Sequence, residues 1–359
     1  MQLRPIPSSR WCGAQDGEAL FVRRDIAFPL ASNVFFGSIT HGHPMKCVIL
    51  GGAGFIGLNL AEALLLADHE VLCVDQSEAR DRFTHASLTH PRLTTLWGDA
   101  WDAHALEKAL TDCDVCFHLV SSTIPQTSNA NPRFDVQSNL QGSLTLLDLC
   151  VKTQVRKVIF LSSGGTVYGV PKAVPIREDH PTDPTCSYGI VKLAVEKYLE
   201  LYRHLHGLDY AIIRLSNPYG ERQRTRGAQG AVAVFLGKAL RGEPIEVWGD
   251  GNVSRDYVHI SDVISCLMAV MTSSDPDARL LNVGSGRGST INQLLGVIGT
   301  VVQRDLAIRY VPGRAFDVPS NVLSVERAIS VLGWHPAVGL EQGVRRFAQW
   351  LQEHQSEHV

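Results

Sequence analysis

In SYGIVKLAVEKYL, residues 187–199, Tyr188 stands four positions before Lys192. On a helix, positions i and i+4 share a face, so the phenol and the ammonium would lie side by side. A tyrosine of ordinary pKa, near ~10, is a poor base at neutral pH. A neighbouring cation favours its phenolate and lowers that value. The pair could then take a proton from a substrate hydroxyl. The spacing alone decides little, because any amphipathic helix with an exposed lysine can carry it. Upstream, FLSSGGTVYG (160–169) ends an apolar run in Ser162 and Ser163, crosses two glycines and offers Thr166. This is either a plain tight turn or a hydroxyl held at the end of a strand.

A third feature is CVILGGAGFIG (47–57), which reads as a strand, a glycine turn and the start of a helix. Gly51, Gly54 and Gly57 keep the turn tight, and the helix start at Phe55 and Ile56 directs backbone N–H groups outward. Such N–H groups suit a pyrophosphate. The next strand, VLCVD, ends in Asp75, placed to accept hydrogen bonds from ribose hydroxyls and to repel a 2′-phosphate. No arginine follows at once in VDQSEAR, which favours NAD over NADP. A bound oxidised nicotinamide would add a second positive charge beside Tyr188.

The elements that must position these groups alternate along the chain. Strands are expected at 46–50, 70–75, 93–99, 114–120, 157–162 and 210–215. Helices are expected at 55–67, 102–111, 134–153 and 187–206. Such alternation implies right-handed crossovers and a parallel sheet covered on both faces. The fold class is therefore α/β: a Rossmann-type, doubly wound sheet with a smaller C-terminal α/β lobe. The expected divisions are 1–44, an extension without clear period; 45–215, the dinucleotide domain; and 216–359, mainly a substrate lobe where glycines and prolines increase.

Several ordered motifs from about Met45 to Gln352 resemble the extended short-chain dehydrogenase/reductases that act on nucleotide sugars. They are GGAGFIG, GDAWD (98–102), HLVSST (118–123), NLQGSLTLLDLC (139–150), LSSGGTVYG, YGIVK, IIRLSNPYG (212–220), WGDGNVSRDYVHISDV (248–263) and PGRAFDV (312–318). Within that family they are most similar to the UDP-glucose 4-epimerases. The resemblance implies an NAD cofactor, with Asp99 and Ala100 at the adenine, Leu119 and Val120 beside the cofactor, and Asn139 supporting that region. Ser162 would line the cofactor as well. It also implies a UDP-sugar substrate, touched by Asn217, clamped at its diphosphate by Arg255 and Arg314, and held at its ribose by Asp317. Arginine suits the clamp because its planar fork pairs with phosphate oxygens. Asn321 would form the wall beside the sugar's 2-position.

By the same resemblance, Tyr188 removes the proton of the sugar 4-hydroxyl, the C4 hydride passes to NAD, and the 4-keto sugar turns before the hydride returns. Two departures matter. Family dehydratases carry Asp-Glu, and decarboxylases a Glu, where this chain has Gly165 and Thr166. Those reactions are demoted, and a catalytically silent NAD-binding sensor is disfavoured because Tyr188 and Lys192 both remain. The usual serine or threonine near the tyrosine is replaced by Gly164, leaving Ser163, Thr166 or a water to act instead. Thr166 is preferred. A homodimer is expected through the 134–153 and YxxxK helices, with Leu140, Leu144, Leu147 and Val151 as a stripe.

Bulk properties agree. The chain has 359 residues, a net charge of −3 and no long basic run, which argues against nucleic acid as the main partner. No apolar stretch reaches membrane-spanning length. Eight cysteines are scattered, and the one CxxC, Cys113 and Cys116, falls in a strand-like run. A metal site is not expected, and a reducing cytoplasm is the natural setting.

Overall fold

The computed structural model describes residues 43–354 except Ser87, Ala100, Ala228 and residues 314–317. The expected extension, 1–44, lies outside the described residues apart from His43 and Pro44. In chain order the strands are β1 (Lys46–Leu50), β2 (Glu70–Asp75), β3 (Leu93–Trp97), β4 (Val115–His118), β5 (Lys157–Ser163), β6 (Asp209–Leu215), β7 (Asn217–Tyr219), β8 (Ile245–Trp248), β9 (Ser254–His259), β10 (Leu280–Val283), β11 (Gly288–Thr290), β12 (Ile308–Val311) and β13 (Ser320–Asn321).

Among the described residues, seven strands form one parallel sheet in the order β10-β6-β5-β4-β1-β2-β3. Alternating side chains explain its two covered faces. Cys47 and Ile49 of β1 enter one core with the Phe55–Leu66 and Ile260–Thr272 helices. Val48 and Leu50 enter the other with the Ala103–Leu110, Gly142–Lys152 and Ser187–His206 helices. This is the Rossmann-type sheet expected. Strand order reverses between β1 and β4, so their carboxyl ends flank the crevice where ligands of such sheets bind.

Two features depart from expectation. The sheet takes its outermost strand, β10, from beyond residue 215, because Leu280–Val283 pairs in register with Ile212–Leu215. The helix expected over 134–153 is not uniform: a short turn at Pro132–Asp135 passes into a π-helical segment, Val136–Gln141, and only then into the Gly142–Lys152 helix. The wider turn coincides with a tight contact, since a Cβ at Gly142 would lie 2.3 Å from the Trp101 ring. Such π segments are frequent at functional sites.

In the C-terminal lobe β9 pairs with β7, β11 and β13, and β8 pairs with β12. A separate core including Leu236, Leu294 and Phe347 fills that lobe. No described helix is long and apolar enough to cross a membrane. Cys113 and Cys116 are both buried. Burial pushes the Cys113 thiol well above its ordinary value, and a hydrogen bond with Cys150 together with burial does the same to Cys116. Thiolate chemistry is suppressed at both.

Candidate active site

The glycine turn closes on itself. Gly51 has φ +87°, and its N–H and that of Gly52 donate to Val74 O at 2.9 and 3.3 Å. A Cβ at Gly57 would lie 2.2 Å from Gly51 O. Gly54 caps the Phe55–Leu66 helix without any side-chain cap, and no acid stands in the first turn. The first N–H groups of that helix are thus left for an anion. Asp75 braces the turn by accepting from Ala53 N at 2.9 Å and from Gln76 N at 2.8 Å. Each carboxylate oxygen keeps a lone pair for a hydroxyl.

A cleft of about 120 Å³ opens beside Asp75, lined by Val74, Leu96, Trp97, Asp99 and Leu106 among others. Leu96, Trp97 and Leu106 give it apolar surface, and the exposed Asp99 an acceptor, which suits an amino-bearing base. Arg80, five residues past Asp75, lies 5.7 Å over the Trp97 ring, a contact the sequence did not suggest. Leu119 and Val120 back directly onto the glycine turn, with Val120 N 3.1 Å from where a Gly51 Cβ would stand. Asn139, in the π-helical segment, accepts from Ser122 N at 2.9 Å and so fixes the loop after β4. Ala100 lies outside the described residues. Backbone cradle, carboxylate and base-sized cleft together fit an adenine dinucleotide.

Tyr188 and Lys192 lie one turn apart on the Ser187–His206 helix, with Lys192 Nζ 5.6 Å from the Tyr188 ring centre. Nζ also donates to Leu161 O at 2.8 Å and sits 4.6 Å from the Phe160 ring, which fastens the helix to β5. Gly189 permits the close approach, because a Cβ there would lie 2.8 Å from Thr166 O. The residue after Tyr188 therefore packs on the backbone of Thr166. Burial pulls the Lys192 ammonium down to about 8, while Glu196 and Asp135 favour its charged form. Burial pushes the Tyr188 phenol above its ordinary value, and Cys186 and Asp135 push the same way. The protein alone holds this tyrosine protonated at neutral pH, so its ionisation needs further positive charge.

The β5 turn has an unusual lining. Thr166 Oγ1 is buried and has no hydrogen-bond partner. A Cβ at Gly164 would lie 2.5 Å from Leu323 Cδ1, so the absence of a side chain there makes room for the C-terminal lobe. Ser163 is half-buried at the strand's end. Ser162 turns inward instead: its hydroxyl donates to Glu196, which forms a buried ion pair with Arg214 at 2.6 Å. Arg214 also donates to Tyr168 Oη at 3.0 Å, and Tyr168 donates to Asn282 at 2.6 Å. This network beneath the Ser187–His206 helix joins β5, β6 and β10. The sequence carried no signal for it beyond an isolated Glu and Arg.

Three residues expected to meet the substrate share the small sheet. Asn217 on β7 is the register partner of Tyr257, and Arg255 on β9 is the partner of Asn321 on β13. Asn217 Nδ2 donates to Asp256 O at 3.0 Å, and Arg255 Nη1 donates to Val318 O at 2.7 Å. Asn321 is buried, and its amide donates to Gly164 O at 3.1 Å, tying the lobe to the β5 turn. Arg314 and Asp317 lie outside the described residues. Sequence reasoning passed over Ser216 and Tyr257, although both stand in motifs it singled out, SNPYG and SRDY. Ser216 Oγ, Tyr257 Oη and Asn321 Oδ1 are buried without partners, as Thr166 Oγ1 is. Each such group costs roughly 1–3 kcal/mol if nothing satisfies it. Two of them, on Thr166 and Asn321, belong to residues at the β5 turn, Asn321 through its bond to Gly164 O.

Known proteins resemble this arrangement closely. Residues 47–284 match the NAD dependent epimerase/dehydratase family. The UDP-glucose 4-epimerase of Mycolicibacterium smegmatis is 34% identical over 310 residues, covering 86% of this chain and 98% of that protein. The crystal structure of UDP-glucose 4-epimerase with UDP-glucose from Thermotoga maritima superposes with a TM-score of 0.80 at 33% identity, covering 87% of this chain and 100% of that one. The UDP-glucose 4-epimerase of Thermus thermophilus, in complex with NAD, gives 0.77 at 29% identity, covering 86% and 99%. Glycine turn, acid-ended second strand, tyrosine–lysine helix and matching sequence lead to one conclusion: the chain belongs to the NAD dependent epimerase/dehydratase family.

Proposed function

We propose that the chain is an NAD-dependent epimerase that inverts C4 of a UDP-sugar, of the UDP-glucose/UDP-galactose type, through a transient 4-keto sugar. One observation carries the reading. The Tyr188–Lys192 pair is fastened to β5 and packs against the turn that follows it, where Gly165 and Thr166 put no acid side chain to drive elimination or decarboxylation. A site with one base and no second acid/base pair can oxidise and reduce a carbinol but has nothing to remove water with.

Gly51, Gly54, Phe55, Ile56 and Gly57 would hold the pyrophosphate of NAD, Asp75 its adenosine ribose and Asp99 its adenine. When bound, NAD supplies a carbon that accepts a hydride from the sugar and gives it back. Tyr188 takes the proton of the 4-hydroxyl, and Lys192 holds positive charge beside it. Thr166, whose hydroxyl lacks a partner, bridges the sugar 4-oxygen and Tyr188, with Ser163 as the alternative donor. Asn217, Arg255, Arg314 and Asp317 bind the UDP portion, and Asn321 sets the room beside the sugar's 2-position. The working unit is a homodimer, and the buried free cysteines suit a reducing cytoplasm.

The test is incubation of the purified protein with UDP-glucose, UDP-N-acetylglucosamine and UDP-glucuronic acid, each with added NAD. Chromatographic appearance of the 4-epimer of at least one is expected. A protein that binds NAD yet converts none of them, or releases a dehydrated or decarboxylated sugar, would refute the reading.

A further inference from the structure

Asp135 did not figure among the candidate residues, yet it is fully buried in the turn ahead of the π-helical segment. Its two carboxylate oxygens serve three elements. Oδ1 accepts from Thr123 Oγ1 at 2.7 Å, in the loop after β4, and from Asn139 Nδ2 at 2.8 Å. Oδ2 accepts from Ser187 Oγ at 2.7 Å. Ser187 is the first residue of the helix that carries Tyr188 and Lys192, and its own N–H donates to Asn129 Oδ1 at 2.8 Å. The helix has no side-chain cap of its own, because Cys186 occupies the capping position. Asp135 therefore supplies from outside both a tether and a negative charge at the positive end of the helix.

We infer that Asp135 is a positioning residue of the Tyr188–Lys192 pair, locking the start of the catalytic helix to the loop that flanks the cofactor crevice. The lock is two-sided. Through Ser187 it sets where Tyr188 stands, and through Thr123 and Asn139 it sets the loop after β4. Its charge also faces the pair. The other groups there are Cys186, Glu196 on the same helix, and His118 from β4. Burial pulls His118 down to about 3, so it is neutral at working pH and adds no competing charge. Asp135 thus opposes ionisation of Tyr188 and supports the Lys192 cation at once.

The inference rests on Tyr188 being the base, and the experiment separates the two. Tyr188→Phe tests the base, whereas Asp135→Asn and Ser187→Ala test the lock. Asparagine keeps the shape and a hydrogen-bonding oxygen but removes the charge. In Asp135→Asn both limbs of the pH profile of kcat should move to lower pH, by about half a unit or more. The tyrosinate absorbance of the NAD-bound protein, read as wild type minus Tyr188→Phe, should begin at lower pH as well. Ser187→Ala keeps the charge and breaks the tether. Its kcat should fall roughly tenfold through misplacement of the base, with the limbs and the KM unchanged, and Ser187→Thr should restore it. An Asp135→Asn profile and titration that superimpose on the wild type's would overturn the inference. So would a Ser187→Ala protein of wild-type kcat, which decides the matter alone if Asp135→Asn does not fold. Full turnover in Tyr188→Phe would instead remove the base reading itself.

Discussion

At the residue scale the site is a contest between burial and charge. Burial raises the Tyr188 phenol and lowers the Lys192 ammonium, so both groups lean towards their neutral forms in the protein alone. Loss of the Tyr188 oxygen should abolish turnover, and Tyr188→Phe is expected to keep wild-type folding and NAD binding with no detectable epimer. The hydroxyl question is narrower. Thr166→Val should cost roughly 10–1000-fold in kcat, as loss of other positioned donors does, and Ser163→Ala little. Wild-type turnover in both and in their double mutant would leave the glycines as structural only. Lys192 also has a stability signature. Its folded value, about 8, lies below the ordinary 10.5, so the unfolded chain binds the extra proton between those values. Stability of the cofactor-free protein therefore carries a penalty below about pH 8 that is relieved as pH rises towards 10.5. Denaturant titrations of wild type and Lys192→Met across that range should diverge accordingly, by on the order of 1–3 kcal/mol. Parallel curves would mean that Lys192 is not desolvated.

At the element scale the Ser187–His206 helix is held at two places. Asp135 and Asn129 take its start, and the Glu196–Arg214 pair takes its middle. Both partners of that pair are almost wholly buried, with side-chain exposures of 1% and 4%. Removing one charge leaves the other stranded, which costs about 3–5 kcal/mol. Glu196→Gln should show that loss in urea unfolding, and should also free the Ser162 hydroxyl and weaken support for the Lys192 cation. A change within about 0.5 kcal/mol, the ordinary range for a surface substitution, would show that the pair is solvated in solution. The π-helical segment belongs to the same scale. It lets Asn139 reach Ser122 N and Thr123 while Gly142 admits the Trp101 ring.

At the scale of the whole molecule the question is what covers the outer face of the Ser187–His206 helix. Ile190, Leu201 and Leu205 are 55%, 43% and 59% exposed and fall in one stripe with Ala194. Of the stripe expected on the preceding helix, Leu147 is buried against the sheet, whereas Leu140, Leu144 and Val151 stay half-exposed. Two such faces on adjacent helices fit a four-helix contact between two copies. Light scattering at micromolar concentration should give a dimer, and Leu201→Glu with Leu205→Glu should give a monomer. A wild-type monomer would count against the pairing.

The repeating part of the fold was legible in the chain. Short β-branched runs alternate with helical stretches, and that period follows from local sterics and from covering a sheet on both faces. The glycine turn, Asp75 and the Tyr188–Lys192 spacing were legible for the same reason, since each is a relation between neighbours along the backbone. The rest depended on contacts between distant residues. That β10 closes the sheet, that Ser162 faces Glu196, that Asn321 reaches Gly164 and that Asp135 holds Ser187 are pairings across 34 to 157 positions. Buried polar groups choose partners by what packing brings within hydrogen-bond reach, and no local pattern encodes that distance. The sequence by itself determined which chemistry the chain could carry. Only the tertiary structure decided which buried hydroxyls lack a partner, which carboxylate holds Ser187, and why a glycine stands where the C-terminal lobe presses on the β5 turn.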